Sequence, residues 1–261
     1  GNLATELFVD YINNNIEQRY SLIPILNIAD KYLMPIYAKQ RWGYDLPYFL
    51  SATVKCHPNY AAYLVHRQTL SIEKIMHLLS LIPIDSRDEY NEKLIENLYY
   101  ELQKCVVDDT EACKKLTDYV DGKKVLIIGP GATIELQHDA IAAVADRNDV
   151  YVISTNFYSG KYAANAVFIS NERRYKNLAG EVLPSDTTLL FTSNIQLECD
   201  TNTLVFNYTS LLGEGASADN AGAMLIRLLK KSGAASLYLA GFDGFDVDIS
   251  LNYFTENYKN E

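Results

Sequence analysis

The segment best suited to chemistry is Gly-Pro-Gly-Ala-Thr at residues 129–133, which follows the apolar run Val-Leu-Ile-Ile at residues 125–128. A strand, a glycine turn and the start of a helix leave backbone N–H groups free to bind a phosphate. As a dinucleotide fingerprint the motif is incomplete, because Ile134 replaces the third glycine and Pro130 lacks an N–H. It is not a Walker A loop, since no lysine follows. The turn is therefore either a nucleotide or phosphate site or a structural turn.

Other polar residues follow later predicted strands. Residues 213–220 form a second glycine-rich segment, in which Ser217 or Asp219 is either a ligand contact or an N-cap. Asn156 follows the second strand, and Asp243 follows the last. Ligands of open α/β sheets bind beyond the carboxyl ends of the strands, so we expect one shared edge. The predicted ligand-binding residues are Gly129, Gly131, Ala132, Thr133, Asn156, Ser217 and Asp243, with Ser193 and Asn194 on the same edge.

Catalytic and metal-binding sets are harder to define. Cys56, His57 and His66 do not follow a usual zinc spacing, and we assign them to packing or to an interface. His138 lies in the helix after the glycine turn and is interpreted as a surface residue rather than a base. No nucleophile–base pair or carboxylate pair stands out. We therefore predict no metal in this chain and leave the catalytic residues unassigned.

The elements that must position these residues differ between the two halves of the chain. Apolar residues recur at helical spacing up to about residue 104, and Ser-Arg-Asp-Glu at residues 86–89 resembles a capping box that opens a helix. From residue 125 onward, short apolar runs alternate with helical patterns, which predicts a parallel sheet. The predicted fold is α/β, with a helical module over residues 1–118 and a Rossmann-like domain over residues 119–261.

Composition narrows the choice of partners. The chain is 48% hydrophobic and 21% charged, as in folded globular proteins, and its net charge of −10 argues against nucleic acid. No apolar run approaches the ~18 residues of a membrane span, so we expect no membrane partner. Four scattered cysteines without a CxxC pair indicate the reducing cytoplasm. Aromatic residues crowd the chain around Trp42, which predicts a subunit contact and a homo-oligomer, a dimer or larger.

Two segments of the first half resemble a known enzyme family. Gly-Asn-Leu-Ala-Thr-Glu-Leu at residues 1–7 resembles the end of the barrel in the pyruvate-carboxyltransferase-like (DRE-TIM) aldolases, which include HMG-CoA lyase. Residues 42–60, with Cys-His-Pro-Asn-Tyr, resemble the helices after the barrel in a bacterial aldolase-like subgroup. The resemblance, over residues 1–104, implies the C-terminal part of a longer aldolase, with the last barrel helix at residues 3–17 and the barrel upstream.

The family's Asp-Arg-Glu motif and His-x-His metal pair do not occur in this chain. The resemblance therefore implies a parent protein that is an aldolase or lyase, and a C-terminal piece without the lyase active site. We accordingly carry none of the family's catalytic or metal-binding residues over to this sequence.

Residues 122–261 more weakly resemble the Rossmann-like domain of bacterial sialyltransferases. The similar segments are residues 129–133, residues 155–157, and residues 215–217 leading through a helix to residues 239–243. In those enzymes such segments line a cytidine-nucleotide-sugar pocket, and a later histidine is the base. Here no histidine follows His138, so the resemblance assigns no base to this chain.

Three hypotheses follow from the sequence. The first is a non-catalytic C-terminal region of an aldolase that binds a nucleotide, a nucleotide sugar or another small anionic ligand and mediates assembly. The second is a nucleotide-sugar transferase that uses Asn156, Ser217 and Asp243 with an unidentified base. The third is an assembly module that pairs subunits or receives an aldehyde product from the barrel.

Overall fold

The structure is a computed structural model that describes residues 4–39, 45–158, 160–178, 183–196, 202–215 and 218–243. The chain divides into two compact units: Gly1–His66 with Ile75–Ile95, and Arg67–Lys74 with Glu96–Glu261. Parts of three predicted features, Gly1-Asn2-Leu3, Trp42-Gly43-Tyr44 and Ser217, lie outside the described residues.

The N-terminal half is helical, as the apolar spacing predicted. A short π-helical turn, Ala29–Leu33, joins the helical segments Ile23–Ile28 and Met34–Tyr37 into one continuous, locally widened helix. The helices are α1 (Thr5–Asn15), α2 (Ile23–Ile28), α3 (Met34–Tyr37), α4 (Leu46–Val54), α5 (Pro58–Arg67), α6 (Ile72–Ser80) and α7 (Glu92–Gln103).

The predicted capping box at residues 86–89 is wrong. Ser86 ends a short 3₁₀ turn, Ile84–Ser86, and α7 begins only at Glu92. The side-chain oxygen of Asn91 accepts from the Leu94 N–H at 3.1 Å and takes the capping role. The buried Tyr60 hydroxyl accepts from the Asn91 N–H at 3.0 Å, and this contact fixes where the helix starts.

The C-terminal half confirms the predicted α/β Rossmann-like fold. All neighbouring strands are parallel, and their order is β5-β4-β3-β2-β1-β6. The strands are β1 (Lys124–Ile128), β2 (Val150–Thr155), β3 (Ala166–Ile169), β4 (Thr188–Thr192), β5 (Thr203–Phe206) and β6 (Ser236–Ala240).

Helices cover both faces of this sheet, which explains why its central strands are apolar throughout. Val125 and Ile127 of β1 pack in the core that contains residues of α8 (Thr110–Val120), α12 (Tyr208–Leu211) and α13 (Ala221–Lys231). On the other face, Leu126 and Ile128 pack with residues of α9 (Thr133–Leu136) and α10 (His138–Ala145). Residues of β3, β4 and α11 (Glu172–Leu178) form a third cluster.

Two helices in this half differ from those that the spacing of apolar residues predicts. The apolar spacing of residues 133–145 predicts one helix, but in the structure it is interrupted at Gln137, which separates α9 from α10. The apolar spacing of residues 216–231 predicts a helix from residue 216, but α13 begins at Ala221, and the side chain of Asn220 caps it by accepting from the Ala223 N–H at 3.0 Å. Among the described residues, no helix is long and apolar enough to cross a membrane.

Candidate functional site

The strand order reverses between β1 and β6, and the loops that follow these two strands meet at the carboxyl edge of the sheet. The N–H of Gly131 donates to the carbonyl oxygen of Gly241 at 2.9 Å, and the N–H of Gly129 donates to that of Ala240 at 2.8 Å. The glycine turn and the segment that carries Asp243 are therefore brought together, as the topology argument predicted.

Glycines allow the loop after β1 and the loop after β6 to approach each other closely. A Cβ atom on Gly129 would lie 2.5 Å from the Gly241 carbonyl oxygen, and one on Gly131 would lie 2.6 Å from it. Gly241 has φ +67°, and a Cβ there would overlap the Gly129 carbonyl oxygen. Gly131→Val would therefore disturb the β1–β6 junction itself, so this substitution cannot test ligand approach alone.

A matched pair of glycine substitutions measures how strongly the close approach of the β1 and β6 loops restricts the side chain at Gly241. Gly241 and Gly122 have nearly the same left-handed backbone, φ +67° and +66°, but a Cβ at Gly122 meets no atom within 4 Å. We expect Gly122→Ala to cost about 1 kcal/mol in backbone strain and Gly241→Ala about 3 kcal/mol, because only the latter also overlaps backbone. Urea unfolding of both variants checks this, and equal losses would contradict the close approach.

The start of α9 already holds an oxyanion, and that oxyanion belongs to the chain. The N–H of Thr133 donates to the Asp243 carboxylate at 2.8 Å, and the Thr133 hydroxyl donates to the other carboxylate oxygen. Both residues are half-buried, and Ala132 occupies the N-cap position with helical dihedral angles. A backbone N–H and a hydroxyl aimed at one carboxylate form the kind of pair that recognises phosphate oxygens.

Asn156 lies at the carboxyl end of β2 in the left-handed region, with φ +60°. Its backbone N–H donates to the Phe168 carbonyl oxygen at 2.7 Å, and its side-chain oxygen accepts from the Ser170 N–H at 3.1 Å. The side chain thus ties the end of β2 to the end of β3. Asparagine suits this position because it tolerates positive φ better than most residues.

Ser193 and Asn194 extend this edge beyond β4. The amide nitrogen of Asn194 donates to the Ser170 carbonyl oxygen at 3.1 Å and to the Gln103 side-chain oxygen at 2.9 Å. The hydroxyl of Ser193 donates to the carbonyl oxygen of Cys105 and accepts from the Tyr208 N–H at 3.1 Å. The edge is therefore built from linked side-chain amides and hydroxyls, as expected for the ends of parallel strands.

A largely buried charged network lies in the same unit and was not predicted from the sequence. Arg67 pairs with the Asp219 carboxylate at 3.1 Å, and the Tyr99 hydroxyl donates to that carboxylate at 2.6 Å. The Arg67 guanidinium lies 4.4 Å from the centroid of the Tyr99 ring. Burial, together with the Asp219 charge, raises the pKa of Tyr99 well above its usual range, so the phenol stays a donor.

Asp219 is therefore an ion-pair partner and not the helix N-cap that the sequence offered as one alternative. Nothing in local spacing points to the pair, because residues 67 and 219 are 152 positions apart.

Within the described ranges, no three histidine, cysteine, aspartate or glutamate side chains are grouped so that they could hold a metal ion. Comparisons of the chain with protein-family models, with curated proteins and with solved structures found no match. Fold and site together define a class: an α/β protein with a six-stranded parallel Rossmann-like sheet, in which the loops at the reversal of strand order hold an oxyanion.

Proposed function

We propose that the α/β unit binds a nucleotide or another phosphorylated small molecule at the turn formed by residues 129–133. In this proposal the chain is the non-catalytic C-terminal region of an aldolase whose barrel lies upstream. The observation that carries the ligand proposal is the contact of the Asp243 carboxylate with the N–H and hydroxyl of Thr133. These donors are complementary to an oxyanion, and a phosphate offers the same acceptor oxygens as a carboxylate.

Binding would then be an exchange of one anion for another. The phosphate of the ligand takes the Thr133 donors, and the Asp243 carboxylate is displaced into water, where it is well solvated. The rest of the ligand extends along the carboxyl edge toward Asn156, two strand positions from β6. In this exchange the contacts between Asp243 and Thr133 are lost. We therefore expect the wild-type chain to bind the ligand weakly, with a Kd of roughly tens of micromolar to millimolar.

Calorimetry with cytidine and adenine mononucleotides tests the proposal directly. We expect saturable binding of at least one of them and no binding of the corresponding uncharged nucleosides, because the phosphate makes the defining contact. If no nucleotide binds at millimolar concentration, the glycine turn is only structural. Steady turnover of a cytidine-nucleotide sugar in the same samples would instead support the transferase alternative.

The proposal of a role in assembly has its own support in α1, α2 and α3. Over residues 4–39, Val9 is the one apolar residue that is buried, whereas many larger apolar side chains are exposed. Contiguous exposed apolar surface usually marks a contact with another protein surface. The exposed set includes Leu7, Phe8, Tyr11, Ile16, Ile23, Leu26, Ile28, Leu33 and Ile36.

We therefore expect the purified chain to be a dimer or larger in light scattering. Leu7→Lys combined with Leu26→Lys should shift it toward the monomer, because both side chains are exposed and a buried lysine charge opposes association. The same double change at Leu136 and Val106, which are also exposed but lie outside these helices, should leave the mass unchanged. A monomeric wild-type chain at high concentration would contradict the assembly proposal.

A further inference from the structure

The first unit contains a cleft of about 500 Å³ that neither the ligand proposal nor the assembly proposal uses. It lies where α4 ends and α5 begins, and the turn around Arg87 closes one side. Its volume is within the range of small-molecule sites. Cys56 and His57, two of the residues assigned above to packing or an interface, line this cleft together with Pro58.

Arg87 brings a positive charge to the cleft. Its guanidinium donates to the carbonyl oxygens of Ile82 at 3.0 Å, Val54 at 3.0 Å and Ser80 at 3.1 Å. These bonds hold the group rigidly and use three of its five N–H donors. Within the part of the chain that the structure describes, no carboxylate lies within ion-pair distance of Arg87.

Lys55 and His57 add donors to the same cleft. Lys55 ends α4 in the left-handed conformation, with φ 58°, is exposed, and has no ion-pair partner among the described residues. The Nδ1 atom of His57 accepts from the Asn59 N–H at 3.2 Å, so in the neutral ring the proton is on Nε2, which is a donor. The backbone N–H of His57 donates to the Arg87 carbonyl oxygen at 2.7 Å and joins the two walls.

The other lining groups set the character of the ligand. Tyr48, Ala52 and Pro58 provide apolar surface. Asp88 is the one carboxylate among the lining residues, and it opposes a ligand with two negative charges. Burial raises the pKa of the Cys56 thiol, so at neutral pH this residue is an uncharged wall and not a nucleophile.

We propose that this cleft binds a small organic monocarboxylate, with its carboxylate on Lys55 and Arg87 and its apolar body against Tyr48, Ala52 and Pro58. Lys55 and Arg87, which have no ion-pair partner among the described residues, and the His57 imidazole donor match a carboxylate, and the apolar wall favours an organic anion over inorganic phosphate. The site lies in a different unit from Thr133 and Asp243, so each proposal can fail without the other.

A graded series of probes tests the ligand class. We expect acetate, butanoate and hexanoate to give saturable NMR shifts of the His57 ring and the Arg87 Nε–H signals in the full chain. Affinity should rise about threefold for each methylene that covers the apolar wall. Inorganic phosphate should bind more weakly than butanoate. The absence of saturable shifts, or phosphate binding as tight as that of hexanoate, would overturn the proposal.

Substitutions that change one charge test whether Lys55 and Asp88 act on the bound carboxylate. Lys55→Gln should weaken butanoate binding about fivefold, and Asp88→Asn should strengthen it about twofold. Both side chains are exposed, so neither change should unfold the chain, whereas replacing Arg87 would also break three carbonyl contacts. Lys93→Gln is the matched control: it makes the same charge change at an exposed position of α7 outside the cleft. Equal effects of Lys55→Gln and Lys93→Gln would overturn the assignment.

Discussion

Replacing Asp243 with alanine is expected to tighten nucleotide binding to the α/β unit by roughly tenfold to a hundredfold. The substitution leaves the N–H and hydroxyl of Thr133 without their internal acceptor, so a phosphate no longer has to displace it. Charge-assisted hydrogen bonds contribute about 1.5–3 kcal/mol each, and about 1.4 kcal/mol corresponds to a tenfold change in affinity. Calorimetric titration of wild type and variant with the same mononucleotide measures the effect.

Thr133→Val is the matched control for this experiment. It keeps the backbone N–H but removes the hydroxyl, so it should weaken binding in both the wild-type and the Asp243→Ala background. If Asp243→Ala instead weakens binding, Asp243 contacts the ligand directly, as the sequence analysis expected from its place after the last strand. If the variant changes nothing, the phosphate does not bind at Thr133.

Replacing Arg67 with methionine should cost about 3–5 kcal/mol of unfolding free energy. The Arg67 and Asp219 side chains are only 14% and 12% exposed, so the change leaves a carboxylate in a poorly solvated place without its counter-ion. Tyr99 still donates one hydrogen bond to Asp219, but a neutral donor replaces only part of the lost interaction. Chemical denaturation followed by circular dichroism gives the free energy.

Two further variants separate the buried pair from a simple loss of charge. Lys115→Met removes a cation from the exposed pair with Glu111 and should cost less than about 0.5 kcal/mol. Arg67→Met combined with Asp219→Asn should recover much of the loss, because it removes the uncompensated charge. A double variant as unstable as Arg67→Met alone would mean that Arg67 acts through packing on Tyr99.

The sequence alone was enough to predict the α/β fold and the strands. Runs such as residues 125–128 are short, apolar and followed by glycine or polar residues, a pattern that is typical of a strand buried on both faces. The same rule placed the glycine turn and Asp243 on one edge, because parallel strands all present their carboxyl ends there. These inferences succeeded because the strands follow from the local pattern of apolar residues, and the shared edge follows from the parallel order of the strands.

Only the tertiary structure decided which groups these residues contact. Gly131 faces the Asp243 carboxylate and the Gly241 carbonyl oxygen and not an open approach, since the loops of β1 and β6 pack directly on each other. Arg67 and Asp219 form an ion pair although they are 152 positions apart in the sequence. No local periodicity can predict a contact between residues so far apart. Local spacing specifies which elements form, whereas the pairing of charges and the close approach of loops depend on how distant elements pack.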